Sequence, residues 1–245
     1  MNMAGLERIA LVTGANKGIG LEIARQLGGQ HGVTVLLGAR DEARGQEAAG
    51  GLRAEGIAAE FVRLDVLDHQ SIDRAAEFIE GKYGRLDILV NNAGIFLEEK
   101  PPSENDVATL LQVYDTNVFG VFRTTQAMLP LLRKSAGGRI VNMSSSLGSL
   151  TLNSDSGFEL ASFLVLGYNS SKTAVNALTV FFANELRGAR IKVNSADPGY
   201  CATDMTGHAG SRSPAQGAIA AVRLATLPPD GPTGGFYNEE GPVPW

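Results

Sequence analysis

Short apolar runs alternate along the chain with longer segments in which apolar residues recur at helical spacing. The runs are mainly apolar instead of strictly alternating, which is typical of parallel strands covered on both faces. Strand, helix and strand in repeated succession predict an α/β fold, a doubly wound parallel sheet of the Rossmann type. The predicted strands are Ile9–Val12, Val33–Leu37, Ala59–Leu64, Leu86–Val90, Arg139–Met143 and Ile191–Ser195. The clearest predicted helices are Leu21–Leu27, Asp41–Glu55, Ser71–Tyr83 and Ala174–Leu186.

Two segments interrupt this alternation. Leu147–Gly167 is polar in its first half and apolar in its second, so we interpret it as an inserted loop. The tail Pro228–Trp245 is rich in proline and glycine, and we expect it to wrap over the surface with one short strand. No long linker or low-complexity block divides the chain. We therefore expect residues 1–245 to form a single domain.

Composition narrows the classes of partner. The net charge is −5 and the 21 Lys and Arg residues are scattered, which argues against nucleic-acid binding. A single cysteine, Cys201, permits neither an intrachain disulfide nor a thiolate zinc site. The histidines His31, His69 and His208 show no ligand spacing, so we expect no metal. No apolar stretch reaches membrane-spanning length, and a cytoplasmic setting is the default expectation.

A glycine-rich turn follows the first predicted strand. Its sequence is Thr13-Gly14-Ala15-Asn16-Lys17-Gly18-Ile19-Gly20, and it leads into the first predicted helix. Glycines here allow a tight turn and a close approach of the backbone to a pyrophosphate, which the free N–H groups of the helix start would bind. The spacing is GxxxGxG instead of GxGxxG. Taken by itself, the segment also fits an ordinary strand–helix turn.

Two basic residues favour NADP(H) over NAD(H). Lys17 lies inside the glycine turn, and Arg40 follows the second predicted strand, whose end faces the adenosine ribose in this fold. An acidic residue there binds the 2′-hydroxyl of NAD, whereas arginine accommodates the 2′-phosphate of NADP. Asp41 comes one position later, and we interpret it as the N-cap of the next helix. The alternative is that Lys17 and Arg40 are solvated surface charges without a role at the cofactor.

Tyr168 and Lys172 are four residues apart and therefore lie on one face of a helix. Reduction of a carbonyl needs a proton for the oxygen that gains charge, and a free tyrosine has a pKa of about 10. A cation one turn away favours the phenolate. Lowering the pKa of the phenol by roughly three units takes about 4 kcal/mol of differential interaction. By itself the pair also fits an amphipathic helix with an exposed lysine.

Together these motifs resemble those of the short-chain dehydrogenase/reductase family, carbonyl-reductase-like members included, over almost the whole chain. Their order and their positions at the carboxyl ends of strands carry the resemblance. The matching pieces are Thr13–Gly20, Asp65, Asn91–Gly94, Asn117, Ser144–Ser145, Tyr168–Lys172, Pro198–Gly199 and Thr203. The resemblance implies an NADP(H)-dependent oxidoreductase acting on a small carbonyl or alcohol substrate. Its nucleotide-binding half would span about residues 1–135 and its catalytic half about 136–245.

The resemblance also implies catalytic roles. Ser145 would hydrogen-bond the substrate carbonyl, and Tyr168 would act as general acid/base. Lys172 would bind the nicotinamide ribose and lower the pKa of Tyr168. Asn117 would hold a water on the proton path, although it also fits a polar group that kinks a helix.

Ser144 and Ser146 are rivals of Ser145 as the catalytic serine. We prefer Ser145 because it lies three residues after Asn142 at the strand end, as the serine does in the family. Asp65 as a turn residue and Thr203 as a helix N-cap are alternatives to roles at the cofactor. The residues expected to line the cofactor are Gly14, Asn16, Lys17, Gly18, Ile19, Gly20, Arg40, Asp65, Val66, Asn91, Ala93, Gly94, Tyr168, Lys172, Pro198, Gly199 and Thr203.

The step from Ser145 to Tyr168 is 168 − 145 = 23 residues, longer than the roughly dozen residues of many family members. Apolar residues in this segment are expected to wall part of the substrate pocket or to pack on the helix that starts near Tyr168. They are Phe158, Leu160, Phe163 and Leu164. Cys201 has no histidine in a recognisable relation to it, so we interpret it as a small apolar filler.

Two other functions fit the same motifs less well. A dinucleotide-binding sensor without turnover would be expected to lose the tyrosine, lysine or serine, which this chain keeps. A C=C reductase of the same superfamily usually spaces its tyrosine and lysine differently. The oligomeric state stays open between a monomer and the homodimer or homotetramer that family members often form through the helices bearing Asn117 and Tyr168.

Overall fold

The computed structural model describes residues 7–160 and 162–245. The strands in these ranges are β1 (Ile9–Thr13), β2 (Thr34–Ala39), β3 (Ala59–Arg63), β4 (Ile88–Asn91), β5 (Arg139–Met143), β6 (Lys192–Ala196) and β7 (Phe236–Tyr237). They pair in parallel as one sheet in the order β3-β2-β1-β4-β5-β6-β7. The chain direction across the sheet reverses between β1 and β4, and ligands of doubly wound sheets bind at the carboxyl ends of the strands beside such a point.

Helices connect the strands. They are α1 (Gly18–His31), α2 (Glu42–Ala54), α3 (His69–Tyr83), α4 (Val107–Tyr114), α5 (Gly120–Leu132), α6 (Leu150–Asn153), α7 (Leu166–Glu185) and α8 (Pro214–Ala225). A π-helical turn, Asp115–Phe119, joins α4 to α5, and 3₁₀ turns occur at Ser146–Gly148 and Asp204–Thr206. Within the described ranges, none of the helices combines the length and the apolar character needed to cross a bilayer.

The sheet is covered on both faces, because side chains alternate along each strand. Ala10 and Val12 of β1 belong to a core that α1, α2 and α8 complete, whereas Ile9 and Leu11 belong to a core completed by α3, α5 and α7. Removing a Leu or Ile side chain from water in either core contributes about 1.5–3 kcal/mol. The strands are mainly apolar because both faces of the sheet are buried.

The doubly wound parallel sheet predicted from the sequence is confirmed. β5 coincides with the predicted strand, and the other predicted strands agree within two residues at each end. Asp41 caps α2 as predicted, since its Oδ1 accepts the N–H of Arg44 at 3.0 Å. The tail also supplies its short strand, β7.

The start of α7 differs from the prediction. The helix begins at Leu166, eight residues before the predicted start at Ala174. Its first turns contain Ser170 and Ser171, whose hydroxyls donate back to the carbonyls of Leu166 and Tyr168 at 2.5 and 2.7 Å. Serine is a modest helix former, so helical periodicity is weak here and tertiary contacts decide the boundary.

The segment predicted as an inserted loop contains short helical pieces. It includes most of the 3₁₀ turn after β5 and all of α6, and its last two residues already belong to α7. Phe163 and Leu164 are exposed, and Phe158 and Leu160 are half-buried. Ala161 lies outside the described residues.

A buried chain of side-chain hydrogen bonds crosses the sheet beneath its carboxyl edge. Asn91 donates to Thr125 at 3.0 Å and to Asn142 at 2.8 Å, and Asn142 donates to Thr179 at 2.8 Å. Thr179 and Ser195 share a further bond of 2.8 Å. The chain ties β4, β5 and β6 to α5 and α7, and its members are nearly inaccessible to solvent.

Replacing Asn142 with alanine removes the central link of this chain. We expect the free energy of unfolding to fall by about 1–3 kcal/mol, because two buried polar groups each lose a partner. Urea denaturation measures the change, with Asn184→Ala on the exposed face of α7 as the control. Equal stability of the two variants would show that the buried chain contributes nothing.

Candidate functional site

The sequence motifs meet at the edge of the sheet where its parallel strands end. The glycine turn follows β1, Asn92–Gly94 follows β4, Ser144–Ser146 follows β5, and Asp197–Thr203 follows β6. α7 packs beside the 3₁₀ turn after β5 and brings Tyr168 and Lys172 to the same edge. Residues far apart in the sequence thus surround one cleft.

The glycine turn has the backbone shape that its glycines permit. Gly14 and Gly18 have φ angles of +65° and +57°, a region that glycine enters without steric cost. A Cβ on Gly20 would lie 2.7 Å from the carbonyl oxygen of Gly14. The turn and the start of α1 therefore present N–H groups without covering side chains, which could hold a pyrophosphate. Asn16 and Ile19 are half-buried beside these glycines.

Asn92 and Thr13 hold the glycine turn against the end of β4. The Thr13 hydroxyl accepts the N–H groups of Asn92 and Ala93 at 2.9 and 3.0 Å, and the Asn92 amide donates to the Thr13 carbonyl at 2.9 Å. The sequence motifs include both residues but assign neither a role. The pairing of β1 with β4, which the doubly wound order implies, is the signal that could have indicated one.

The two basic residues expected at the cofactor lie in different settings. Arg40 is exposed directly after β2. Lys17 pairs with Asp204 of the loop after β6 at 2.5 Å, and both side chains are 57% exposed. Solvent-exposed pairs of this kind contribute little stability, so the contact leaves Lys17 able to exchange partners.

The other residues expected at the adenosine side are placed in several ways. Asp65 forms a turn, since its carboxylate accepts the N–H of Leu67 at 3.0 Å. Val66 is buried and contacts Gly120. The Asn91 side chain is buried and donates to Thr125 and Asn142, within the hydrogen-bond chain under the sheet edge. Gly94 lies beside Asn117 and Lys172, within reach of the cleft.

Tyr168, Ser145 and Lys172 converge at the centre of the cleft. The Ser145 side chain lies close enough to the Tyr168 phenol to lower its pKa. The Lys172 ammonium lies 5.5 Å from the centre of the Tyr168 ring and donates to the carbonyl of Met143 at 2.9 Å. Lys172 is 6% exposed, so little solvent reaches its charge.

The three serines after β5 have separate environments. The Ser144 hydroxyl is buried and donates to the carbonyl of Lys172 at 3.3 Å. Ser146 lies beside the Asp197 carboxylate, and its main-chain and side-chain donors lower the pKa of that carboxyl. Ser145 alone of the three adjoins the Tyr168 phenol.

Asn117 lies in the π-helical turn between α4 and α5. Its amide donates to the Ile95 carbonyl at 2.9 Å and to the Ser171 hydroxyl at 3.1 Å, and its oxygen accepts the Ile95 N–H at 2.8 Å. The side chain therefore bridges the end of β4 to α7. π-Helical turns are frequent at functional sites. This one contains Asn117, which the sequence also allowed as a polar residue that kinks a helix.

Burial shifts the ionisable groups of the cleft in opposite directions. Burial, reinforced by the nearby Asp197 carboxylate, raises the pKa of Tyr168, and the Ser145 side chain offsets part of that rise. Burial lowers the pKa of Lys172 to about 8. The resemblance implies a lowered pKa for Tyr168. The protein's own groups raise the pKa of Tyr168 instead, because desolvation of the phenolate is the largest effect.

Asp197 is a site residue that sequence reasoning missed. It is 6% exposed, and its Oδ1 accepts the N–H of Gly199 at 3.0 Å. Burial raises the pKa of its carboxyl, and hydrogen bonds from Gly199 and Ser146 oppose that rise. Its position directly before Pro198 at the end of β6 was the available signal.

The loop after β6 approaches the glycine turn. Gly199 has a φ angle of +70°, and Thr203 precedes the 3₁₀ turn and lies beside Gly18. Cys201 is buried against Gly217 of α8, and burial raises the pKa of its thiol. A protonated, enclosed thiol agrees with a packing role.

The arrangement can donate a proton to an oxygen held at Tyr168 and Ser145, while a nucleotide lies along the glycine turn. Within the described residues, no three His, Cys, Asp or Glu side chains are grouped so that they could hold a metal ion.

Comparison with known proteins agrees with this geometry. Residues 8–213 match the family model described as short chain dehydrogenase. Carbonyl reductase [NADPH] 1 of Sus scrofa is 36% identical, covering 99% of this chain and 96% of the relative, and (-)-isopiperitenone reductase of Mentha piperita is 35% identical, covering 97% and 98%. The structure of gluconate 5-dehydrogenase from Burkholderia cenocepacia J2315 in complex with NADP and tartrate superposes with a TM-score of 0.82. Its identity is 28%, with 95% of this chain and 94% of that chain covered.

The alignment with the Sus scrofa protein runs over 280 positions against 245 residues here, so that relative carries segments without a counterpart in this chain. The family match nevertheless covers most of the chain and includes the glycine turn, Tyr168 and Lys172. The chain therefore belongs to the short-chain dehydrogenase family.

Proposed function

We propose that this protein is an NADP(H)-dependent oxidoreductase that reduces a ketone or aldehyde, or oxidises the corresponding alcohol. The convergence of the Tyr168 phenol, the Ser145 hydroxyl and the Lys172 ammonium beside the glycine turn is the observation that carries this proposal. In this reading residues 1–245 act as one domain, with nucleotide binding in the first half and catalysis in the second.

Tyr168 is the proton donor in this mechanism. Ser145 holds the carbonyl oxygen through its hydroxyl, and Tyr168 transfers its phenolic proton to that oxygen as negative charge develops there. When bound, NADPH supplies the hydride. Lys172 places a positive charge beside the phenol, and Asn117 fixes the Ile95 backbone next to this path. In the oxidative direction the proton passes from the alcohol back to Tyr168.

The glycine turn fits the pyrophosphate of a dinucleotide, since the absence of Cβ atoms at Gly14, Gly18 and Gly20 leaves its N–H groups open. Arg40 and Lys17 would hold the 2′-phosphate. Carbonyl reductase [NADPH] 1 of Sus scrofa and the NADP complex of the Burkholderia enzyme support the same cofactor here. Phe163 and Leu164, in the segment just before α7, are exposed, and apolar side chains there favour an apolar substrate.

Two alternatives have distinct outcomes. A sensor without turnover would bind NADP(H) tightly and consume none of it with a broad carbonyl panel. A C=C reductase of the same superfamily is the second alternative. Product analysis with an enone distinguishes the two reductions, because one yields an unsaturated alcohol and the other a saturated ketone.

A homodimer is the proposed assembly. Several large apolar side chains are exposed on α4, the π turn, α5 and α7, which pack against one another, and an apolar surface shared by adjoining helices fits an interface between subunits. They are Val107, Leu111, Phe119, Phe122 and Phe181. Light scattering on the purified protein gives the mass directly.

Substitution of Tyr168 by phenylalanine removes the proton donor and keeps the ring. We expect kcat for carbonyl reduction to fall by about 10²–10⁴-fold while NADPH binding is unchanged. NADPH absorbance measures turnover, and nucleotide fluorescence measures binding. Tyr83→Phe is the matched control, since its hydroxyl bonds Glu60 away from the cleft. Full activity of Tyr168→Phe would exclude this mechanism.

Substitution of Arg40 by alanine tests the 2′-phosphate. The loss of a charged hydrogen bond, about 1.5–3 kcal/mol, should raise KM for NADPH by about 10–100-fold and leave that for NADH unchanged. Arg44→Ala, exposed in the first turn of α2, is the control. An equal effect on both nucleotides would contradict the assignment.

The pKa shifts predict the pH dependence. Because burial raises the pKa of Tyr168, the phenol stays protonated through neutral pH and is ready to donate. Lys172 loses its charge as pH rises past about 8. The rate of reduction should therefore be flat below about 8 and fall above it, whereas alcohol oxidation should need alkaline pH. A reduction rate that climbs with pH would mean that the phenolate is the active form.

A further inference from the structure

The first turn of α7 is capped by a residue from another part of the chain. Val165 precedes the helix and offers no side-chain cap. The Glu99 carboxylate, in the loop between β4 and α4, accepts the N–H of Gly167 at 2.6 Å and the N–H of Tyr168 at 2.9 Å. These are the second and third residues of the helix, the positions whose N–H groups an N-cap satisfies.

The surroundings of the Glu99 carboxylate are shaped to receive it. Asn105 donates its amide to Glu99 Oε2 at 2.7 Å, so the carboxylate has three donors. Gly167 leaves the necessary space, because a Cβ there would lie 2.9 Å from Glu99 Oε1. The negative charge at the helix start also complements the helix dipole.

The segment that carries Glu99 touches Tyr168 a second time. The Phe96 ring meets the Tyr168 ring edge-on, with 5.2 Å between the ring centres. Ile95, at the base of this segment, is fixed through its N–H and its carbonyl by Asn117. The main chain and the ring of Tyr168 are thus both held from the loop after β4.

Ser145 and Lys172 are held by other means. Ser145 caps the 3₁₀ turn after β5 by accepting the Leu147 N–H at 3.2 Å, and Lys172 bonds Met143 at the end of β5. Loss of the Glu99 cap would release the turn that contains Tyr168 and leave these two partners in place. The distance between phenol and serine would then vary.

We propose that Glu99 is a positioning residue, which caps α7 from the loop after β4 and holds the Tyr168 phenol beside Ser145. The proposal rests on the proposed function for its effect on turnover. The cap itself can be tested without turnover.

The experiment compares Glu99→Ala and Glu99→Gln with Glu98→Ala, an exposed neighbouring carboxylate. For Glu99→Ala we expect kcat to fall by about 10–100-fold with the Kd for NADPH unchanged, since the loss is of orientation. Glu99→Gln keeps one acceptor oxygen and should recover part of kcat. Glu99→Gln also tests the proposal if Glu99→Ala fails to fold.

Hydrogen exchange of the peptide that spans the start of α7 gives a readout independent of catalysis. Loss of a cap should speed exchange there by about 3–30-fold in Glu99→Ala and leave Glu98→Ala like the parent. Ultraviolet titration of the phenol, with Tyr168→Phe subtracted, should move towards the ordinary pKa of about 10 as the turn opens.

The outcomes separate the two proposals. Absence of turnover in the parent protein overturns the proposed function, while exchange and titration still decide the role of Glu99. Unchanged exchange and titration in Glu99→Ala overturn the positioning role. A loss confined to NADPH binding overturns it as well.

Discussion

The site depends on how closely α7 lies against the loop that follows β5. A Cβ on Gly148 would lie 2.7 Å from the main-chain carbon of Lys172 and 3.0 Å from the N of Thr173, so only glycine permits this approach. The Thr173 hydroxyl then donates to the Gly148 carbonyl at 2.9 Å. Ser144 and Lys172 add the bonds described above. The serine loop and the helix form one unit, and the relative position of Ser145 and Tyr168 follows from main-chain packing.

The cleft concentrates groups whose charged forms are costly to bury. Lys172 and Asp197 are both nearly inaccessible, and neither forms a salt bridge with any of the residues that the structure describes. Main-chain carbonyl and N–H groups hold them instead, with the Ser146 hydroxyl assisting at Asp197. Dipoles fixed by the fold stabilise charge without moving, which is the form of electrostatic preorganisation that catalysis of proton transfer requires.

Local patterns predict the elements that local chemistry determines. The strands end where apolar runs end, and the glycine turn is recognisable because its conformation restricts the residue type. The order of motifs locates the cleft for the same reason, since parallel strands present their carboxyl ends at one edge.

Contacts between distant segments leave no such pattern. Glu99 caps a helix 68 positions later in the chain, and Lys17 pairs with Asp204 after 187 positions. The Asn91 side chain points into the protein, where it hydrogen-bonds Asn142 and Thr125. Its place in the Asn91–Gly94 motif does not reveal this direction. Side-chain direction and pairing at these places are set by the assembled sheet, so a single sequence does not specify them.

The π turn at Asp115–Phe119 couples the cleft to the core through helical phase. A π turn accommodates an additional residue, so everything in α5 is rotated relative to α4 by one position, ~100° of helix. Met128 and Leu131 of α5 face the sheet only in this phase, and the same turn aims Asn117 at Ile95 and Ser171. A one-residue deletion here would force a choice between packing α5 on the sheet and bridging β4 to α7. The length of this connection is therefore constrained as strongly as its residues.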